Sequence, residues 1–143
     1  RSTLFPYTTL FRSLRYHVTM ADDGGLQTLH VKNGRPGDLF LFLSYSGIHY
    51  DYSKYAATLS KRGIKPCLIT AFSDSALARQ CDTVLLIPKS ERVIGKVANY
   101  SSMISLTYTL QVIYSLIFNQ DYQENFRVKH EADSFIFTSF AEI

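Results

Sequence analysis

Five consecutive apolar residues, Leu39-Phe40-Leu41-Phe42-Leu43, run straight into Ser44-Tyr45-Ser46-Gly47, and this junction constrains the fold more than any other stretch. An apolar run without alternation predicts a strand covered on both faces of a parallel sheet, and Gly37-Asp38 marks the turn before it. A helical pattern follows Gly47. In an open α/β sheet, ligands sit beyond the carboxyl ends of the strands, where a loop becomes a helix. Ser44 and Ser46 therefore stand where a ligand belongs. Free N–H groups at a helix start attract an anion, two hydroxyls add donors, and Gly47 allows close backbone approach. The same residues also suit an ordinary turn in which Ser44 or Ser46 caps the next helix. Residue types alone leave both readings open.

At 143 residues, 46% hydrophobic and 19% charged, the chain has the composition of one globular domain. Its net charge is +3. Setting aside Arg1 and Arg12, for the reason given below, leaves 13 basic against 12 acidic residues, or +1. That is no electrostatic footprint for nucleic acid. Cys67 and Cys81 lie in apolar surroundings without CxxC pairing or metal-ligand spacing, which predicts free buried thiols, no metal and no cofactor. The apolar region 103–118 is sixteen residues long and is interrupted by Ser105, Thr107, Thr109, Gln111 and Ser115, short and polar for a membrane span. The start of the chain lacks the apolar core of a signal peptide. The expectation is a soluble cytoplasmic protein with no membrane partner.

Residues 1–13 show no clear period and contain Pro6. Their 4–13 portion resembles the in-frame translation of a sequencing-adapter oligonucleotide, so the segment is set aside as a non-native leader. Residues 14–20 alternate roughly in β-formers and predict a short strand. Residues 26–32 predict two turns of helix, capped by Asp22 or Asp23 and stopped by Asn33-Gly34-Arg35-Pro36. Over 51–62, Tyr52, Tyr55, Ala56 and Leu59 fall at i, i+3, i+4 and i+7, the stripe of a helix docked on a sheet, with Gly63 closing it. Residues 64–70 read as a second buried strand with Pro66 near its start. A short helix through Arg79, capped by Ser73 or Asp74, and a third strand over 83–87 follow. This alternation predicts βαβ units, a parallel sheet and helices on both faces. His17 and His30 read as structural or surface residues.

Lys89-Ser90-Glu91-Arg92 follows the last strand, so Glu91 either faces the site built by 44–47 or is an ordinary solvated charge. Residues 94–118 predict a helix that is apolar nearly all round. Such a helix needs a second contact surface, most simply a symmetric dimer. The tail from residue 119 is first polar, then gathers Phe135, Ile136, Phe137 and Phe140, either to pack on a partner subunit or to form a terminal strand.

Set beside Thr70, the segment Ser75-Ala76-Leu77-Ala78, Cys81-Asp82 and Glu91, the Ser44-Tyr45-Ser46-Gly47 loop resembles the SIS (sugar isomerase) domain family. Asn99-Tyr100-Ser101-Ser102 and Tyr114-Ser115-Leu116-Ile117-Phe118 before Asp121-Tyr122 are most similar to the C-terminal effector domain of RpiR-type transcriptional regulators. The resemblance implies a flavodoxin-like, doubly wound parallel sheet over residues 14–130, followed by a tail over 131–143. It implies that Ser44, Ser46 and the Gly47 backbone hold the phosphate of a sugar phosphate, with Tyr45 part of the same ligand-binding loop. His49 stands where the family carries a threonine, and a protonated His49 would donate to the phosphate instead. Glu91 matches a glutamate that acts as base in the isomerases and contacts the sugar in binding members. The first strand of the fold and any helix-turn-helix segment are missing from the match, which predicts poor folding of this chain alone and contact with DNA only through a missing N-terminal domain. The function implied is a phosphosugar-binding effector and dimerisation domain, dimeric or tetrameric through 94–118 and without a catalytic residue. The alternative is an aldose-ketose isomerase in which Glu91 abstracts a proton α to the carbonyl.

Overall fold

A computed structural model of the chain describes residues 5–95 and 98–140. In chain order the elements are α1 (Phe5–Arg12), α2 (Gly24–Asn33), β1 (Phe40–Leu43), α3 (Tyr50–Lys61), β2 (Pro66–Thr70), a 3-10 turn (Ala78–Gln80), β3 (Thr83–Leu86), α4 (Tyr100–Gln120) and α5 (Tyr122–Phe140). They fall into two compact units, Ala21–Thr109 and the pair of segments Arg1–Met20 with Leu110–Ile143, so the division lies within α4.

The first of these units holds a parallel sheet in the order β1-β2-β3. Phe42, Leu68 and Val84 are in register across it and share one face. Ala56 of α3, Leu77 and Ala78 pack with them. Val31 of α2, Leu59 of α3 and Ile64 form an adjoining cluster with Phe40 and Tyr55. The predicted stripe of α3 is therefore the face that docks on the sheet. The apolar run of β1 was expected to be covered on both faces, but β1 is half-buried along its length. Every residue of β2 is buried. The difference is positional: among the described residues β2 has a strand on each side, and β1 has one only.

Local chemistry explains the ends of the helices. The Asp23 carboxylate accepts the Leu26 N–H at 2.9 Å and starts α2. Helix α3 closes in a Schellman arrangement: Gly63 has φ +73°, its N–H reaches Ser60 O, and the Ile64 N–H reaches Leu59 O. Leu59 and Ile64 then meet in the core. The helix predicted through Arg79 is replaced by turns and the 3-10 segment Ala78–Gln80. There the Ser75 hydroxyl takes the Ala78 N–H at 3.2 Å, a local bond that competes with helix propagation.

In the other unit, the segment set aside as a leader forms α1, and Phe11 lies edge-on to Tyr114 at 5.9 Å. The strand predicted over 14–20 is absent. The Arg12 guanidinium holds Val18 O at 2.6 and 3.0 Å, Leu14 is buried, and among the described residues of its unit there is no strand. β-branched residues gain little without a pairing edge. The tail is likewise helix α5 rather than a strand. Tyr114, Phe118, Tyr122 and Phe126 follow at one-turn intervals with ring centroids 5.7 to 5.9 Å apart, and Arg127 pairs with Glu124 and Glu131 at helical spacing. The hydrogen bond from Arg127, with the charges of Arg127 and Arg15, holds the Glu124 carboxyl below its ordinary range.

The helix expected over 94–118 begins later. Residues 94 and 95 belong to a turn in which Gly95 has φ +72°, residues 96 and 97 lie outside the described residues, and α4 starts at Tyr100. It ends at Gln120 and spans 21 residues, and by length and composition alone it is long and apolar enough to cross a membrane, where the apolar region 103–118 is too short and polar for one. Ser102, Leu106 and Leu110 are its buried side. Tyr100, Ile104 and Tyr108 are about 70% exposed, so this apolar helix is not buried on every side within the chain.

Candidate ligand site at the carboxyl edge of the sheet

Because all three strands run parallel, their carboxyl ends meet along one edge, and the loops leaving them interlock there. The Ser44 N–H continues the ladder to Ile69 O at 3.1 Å. Tyr45 O accepts from the Ala71 N–H and from the Thr70 hydroxyl, both at 3.0 Å. Gly47 O accepts the Leu77 N–H, and Thr70 O accepts the Ile87 N–H. The loop 44–47 is thus fixed to the two neighbouring loops through its backbone, which leaves side chains for other work.

Within the loop the Ser44 hydroxyl oxygen accepts the Gly47 N–H at 3.2 Å. Helix α3 begins only at Tyr50, with His49 in the capping position and no side-chain cap. Neither Ser44 nor Ser46 caps it, so the ordinary-turn reading fails in that form. The Ser46 hydroxyl makes no hydrogen bond among the described residues, and it is half-buried. The His49 ring lies stacked on Tyr52, 4.2 Å between centroids, and the side chain is exposed. The first N–H groups of α3 therefore have no side chain bonded over them, and a helix start of this kind favours an anion.

Gly47 is forced by its surroundings. Its φ is +63°, and a Cβ there would stand 2.1 Å from Ser75 Oγ and 2.6 Å from Ser75 Cβ. Ser75 and Thr70, both buried, thus shape the loop from beneath. Sequence reasoning did not assign either to the site. Thr70 is the last residue of a predicted strand and Ser75 lies in the loop after it, and those positions were the available signal.

Glu91 joins the site through Tyr45. The buried Tyr45 hydroxyl donates to Glu91 O and accepts the Glu91 N–H, each at 2.8 Å. The Glu91 carboxylate is turned onto the first turn of α4. Oε1 accepts the Ser101 hydroxyl at 2.9 Å and the Ser102 N–H at 2.8 Å, and Oε2 accepts the Ser102 hydroxyl at 2.8 Å. Ser101 and Ser102 were also missed as site residues. Their signal was a pair of hydroxyls opening a long helix downstream of a lone carboxylate.

A groove of about 430 Å³ adjoins the loop, with Ile48, Tyr50, Lys54 and Arg79 in its lining, and none of the predicted site residues lines it. Among the described residues no cluster of His, Cys, Asp or Glu is arranged to hold a metal ion. What the edge offers is hydroxyls, backbone N–H groups and the Glu91 carboxylate, a set suited to binding an anionic, hydroxyl-bearing molecule.

A parallel α/β sheet with its loops joined at the carboxyl edge defines the class. The sequence profile of the SIS domain matches residues 8–117, and the chain belongs to that family. No curated protein sequence matches the chain. The NanR protein of Vibrio vulnificus, solved in complex with ManNAc-6P, superposes with a TM-score of 0.78 at 18% identity, over 92% of this chain and 50% of NanR. The sugar isomerase domain of an RpiR transcription factor from Sphaerobacter thermophilus gives 0.72 at 22% identity, over 91% and 70% of the two chains. The protein c3406 of E. coli CFT073 gives 0.72 at 19%, over 87% and 68%. This chain therefore spans about half of NanR. At these identities the likeness is one of fold.

Proposed function

We propose that this chain is the phosphosugar-binding effector and dimerisation domain of an RpiR-type transcriptional regulator acting in the cytoplasm. The observation that carries the reading is the loop 44–47 at the carboxyl edge, with the Ser46 hydroxyl unengaged beside the uncapped start of α3. Ser44, Ser46 and the N–H groups of the helix start take the phosphate, with His49 close enough in sequence to swing in as a further donor. Tyr45 aligns the loop with Glu91, which accepts sugar hydroxyls. NanR, whose structure holds ManNAc-6P, and the RpiR domain support this reading through their shared fold. Contact with DNA belongs to a helix-turn-helix part outside this chain. The two copies meet through the exposed face of α4.

Binding is favoured over isomerisation by the state of Glu91. Both of its carboxylate oxygens already accept hydrogen bonds from α4. Hydrogen bonds to the charged form lower the proton affinity of a carboxylate, which opposes a role as a carbon base and still leaves a lone pair for a ligand hydroxyl. Calorimetric titration with a panel of sugar phosphates tests the reading. One member should bind, and Ser46→Ala should weaken it about 10- to 100-fold, as expected for a lost hydrogen bond to a charged group. Equal affinities would overturn the assignment. Turnover that vanishes in Glu91→Gln would establish the isomerase instead.

A further inference from the structure

The first turn of α4 grips Glu91 at three points. Ser102 alone supplies two of them, its N–H to one carboxylate oxygen and its hydroxyl to the other, while the Ser101 hydroxyl adds the third. The Ser90 hydroxyl in turn donates to Ser101 Oγ at 2.9 Å. On the other side, the Tyr45 hydroxyl fixes the backbone of Glu91 through both its N–H and its carbonyl. A glutamate on an irregular strand-to-helix connection would ordinarily sample several rotamers, and ordering such a side chain on binding costs affinity. Here both ends of the residue are already set, and an acceptor held in this way loses little further freedom when a ligand arrives. The carboxylate also lies over the N-terminal turn of a 21-residue helix, where negative charge is favoured.

We propose that Ser101 and Ser102 are positioning residues for the ligand site, holding the Glu91 carboxylate so that it reads the hydroxyl pattern of the sugar while the loop 44–47 reads the phosphate. The inference rests on the phosphosugar reading of the site and adds to it that specificity among sugar phosphates depends on two side chains of α4 that need not touch the ligand. It also gives α4 a stake in occupancy. A ligand hydroxyl bonded to Glu91 fixes the partner of the Ser102 N–H, so binding stiffens the turn that also carries Tyr100 and Ile104.

The test titrates the full chain with ManNAc-6P, glucose 6-phosphate, fructose 6-phosphate and ribose 5-phosphate, with inorganic phosphate as the sugar-free control. In the double variant Ser101→Ala with Ser102→Ala, the affinity for the preferred sugar phosphate should fall about tenfold while that for inorganic phosphate is unchanged. Ser102→Thr, which keeps both the N–H and the hydroxyl, should retain the affinity. Hydrogen exchange at the Ser102 amide should slow on adding the sugar phosphate and not on adding inorganic phosphate. Unchanged sugar-phosphate affinity in the double variant overturns the positioning role, and if Ser46→Ala still weakens binding about 10- to 100-fold, the phosphosugar reading survives. Equal losses for both ligands mark a general structural defect and likewise overturn it. If the wild-type chain binds none of the sugar phosphates, both readings fall together.

Discussion

At Gly47, two constraints act on a single atom position. A side chain there would be strained by φ +63° and would also drive into Ser75. Gly47→Ala should therefore destabilise the domain by about 2–4 kcal/mol, combining left-handed strain with overpacking. Chemical denaturation measures this, and Ser75→Gly in the same background should recover the steric share only. Ser46→Ala, by contrast, should leave the unfolding midpoint unchanged while impairing binding, because its hydroxyl is uncommitted. Cys81 gives a prediction in pH. Burial, aided by Cys67 and Asp82, pushes its thiol up to about 11 from an ordinary value of 9.0. The thiol is protonated in the folded and unfolded chains alike below about pH 9, so its contribution to stability is whole there. Between about pH 9 and 11 the unfolded chain loses the proton first, and stability falls. The alkaline decline in Tm should be shallower in Cys81→Ala than in the wild type. Parallel curves would show that the thiol does not titrate across this window.

Among the elements, α2 and α3 are joined by Thr28 to Tyr55 at 2.9 Å, by Gln27 to Tyr52 at 3.4 Å and by one further side chain past the end of α3. The Arg62 guanidinium, just past the end of α3, donates to Val31 O and Gly34 O at 2.5 and 2.6 Å. Those carbonyls lie at the end of α2, where helical partners have run out. Arg62→Met keeps the aliphatic stem and removes the donors, and should cost about 1–3 kcal/mol in unfolding free energy. A change below a few tenths would mean that water replaces the guanidinium without loss. The same scale explains why α3 was readable and the 71–79 helix was not. In α3 the apolar stripe, the acidic first turn, the basic last turn and the closing glycine all agree. In 71–79 the hydroxyls that resemble caps are drawn into strand-end turns instead.

For the molecule as a whole, α4 carries the proposed association. Ile104 and Tyr108 stand 69% and 67% exposed on one side of it, opposite the buried Ser102 and Leu106. If two copies meet there, sedimentation of the wild type should give a dimer at micromolar concentration. Ile104→Glu with Tyr108→Glu should give a folded monomer, since each places a charge where an apolar contact was buried. A wild type that is monomeric throughout would remove the dimer from the functional reading. The length of α4 alone would also allow a membrane span, but its Ser102, Leu106 and Leu110 side is buried within the protein.

The sequence by itself determined the parallel βαβ frame, the three strand positions to within a residue or two, the helix on 50–61 with its closing glycine, and the position of the loop 44–47 at a strand end. These are local matters: periodicity, turn chemistry and cap residues act over a few positions and leave their mark in order along the chain. Tertiary structure alone decided which strand lies between two others, that residues 14–20 find no edge to pair with, and that the tail is helical. It also decided that Glu91 turns to Ser101 and Ser102 while Tyr45 grips its backbone. Those outcomes depend on groups brought together from distant positions, and a hydrogen bond between residues 45 and 91 has no periodicity to betray it. The serine loop could thus be named from its residues, but how its side chains are committed could be read only from the fold.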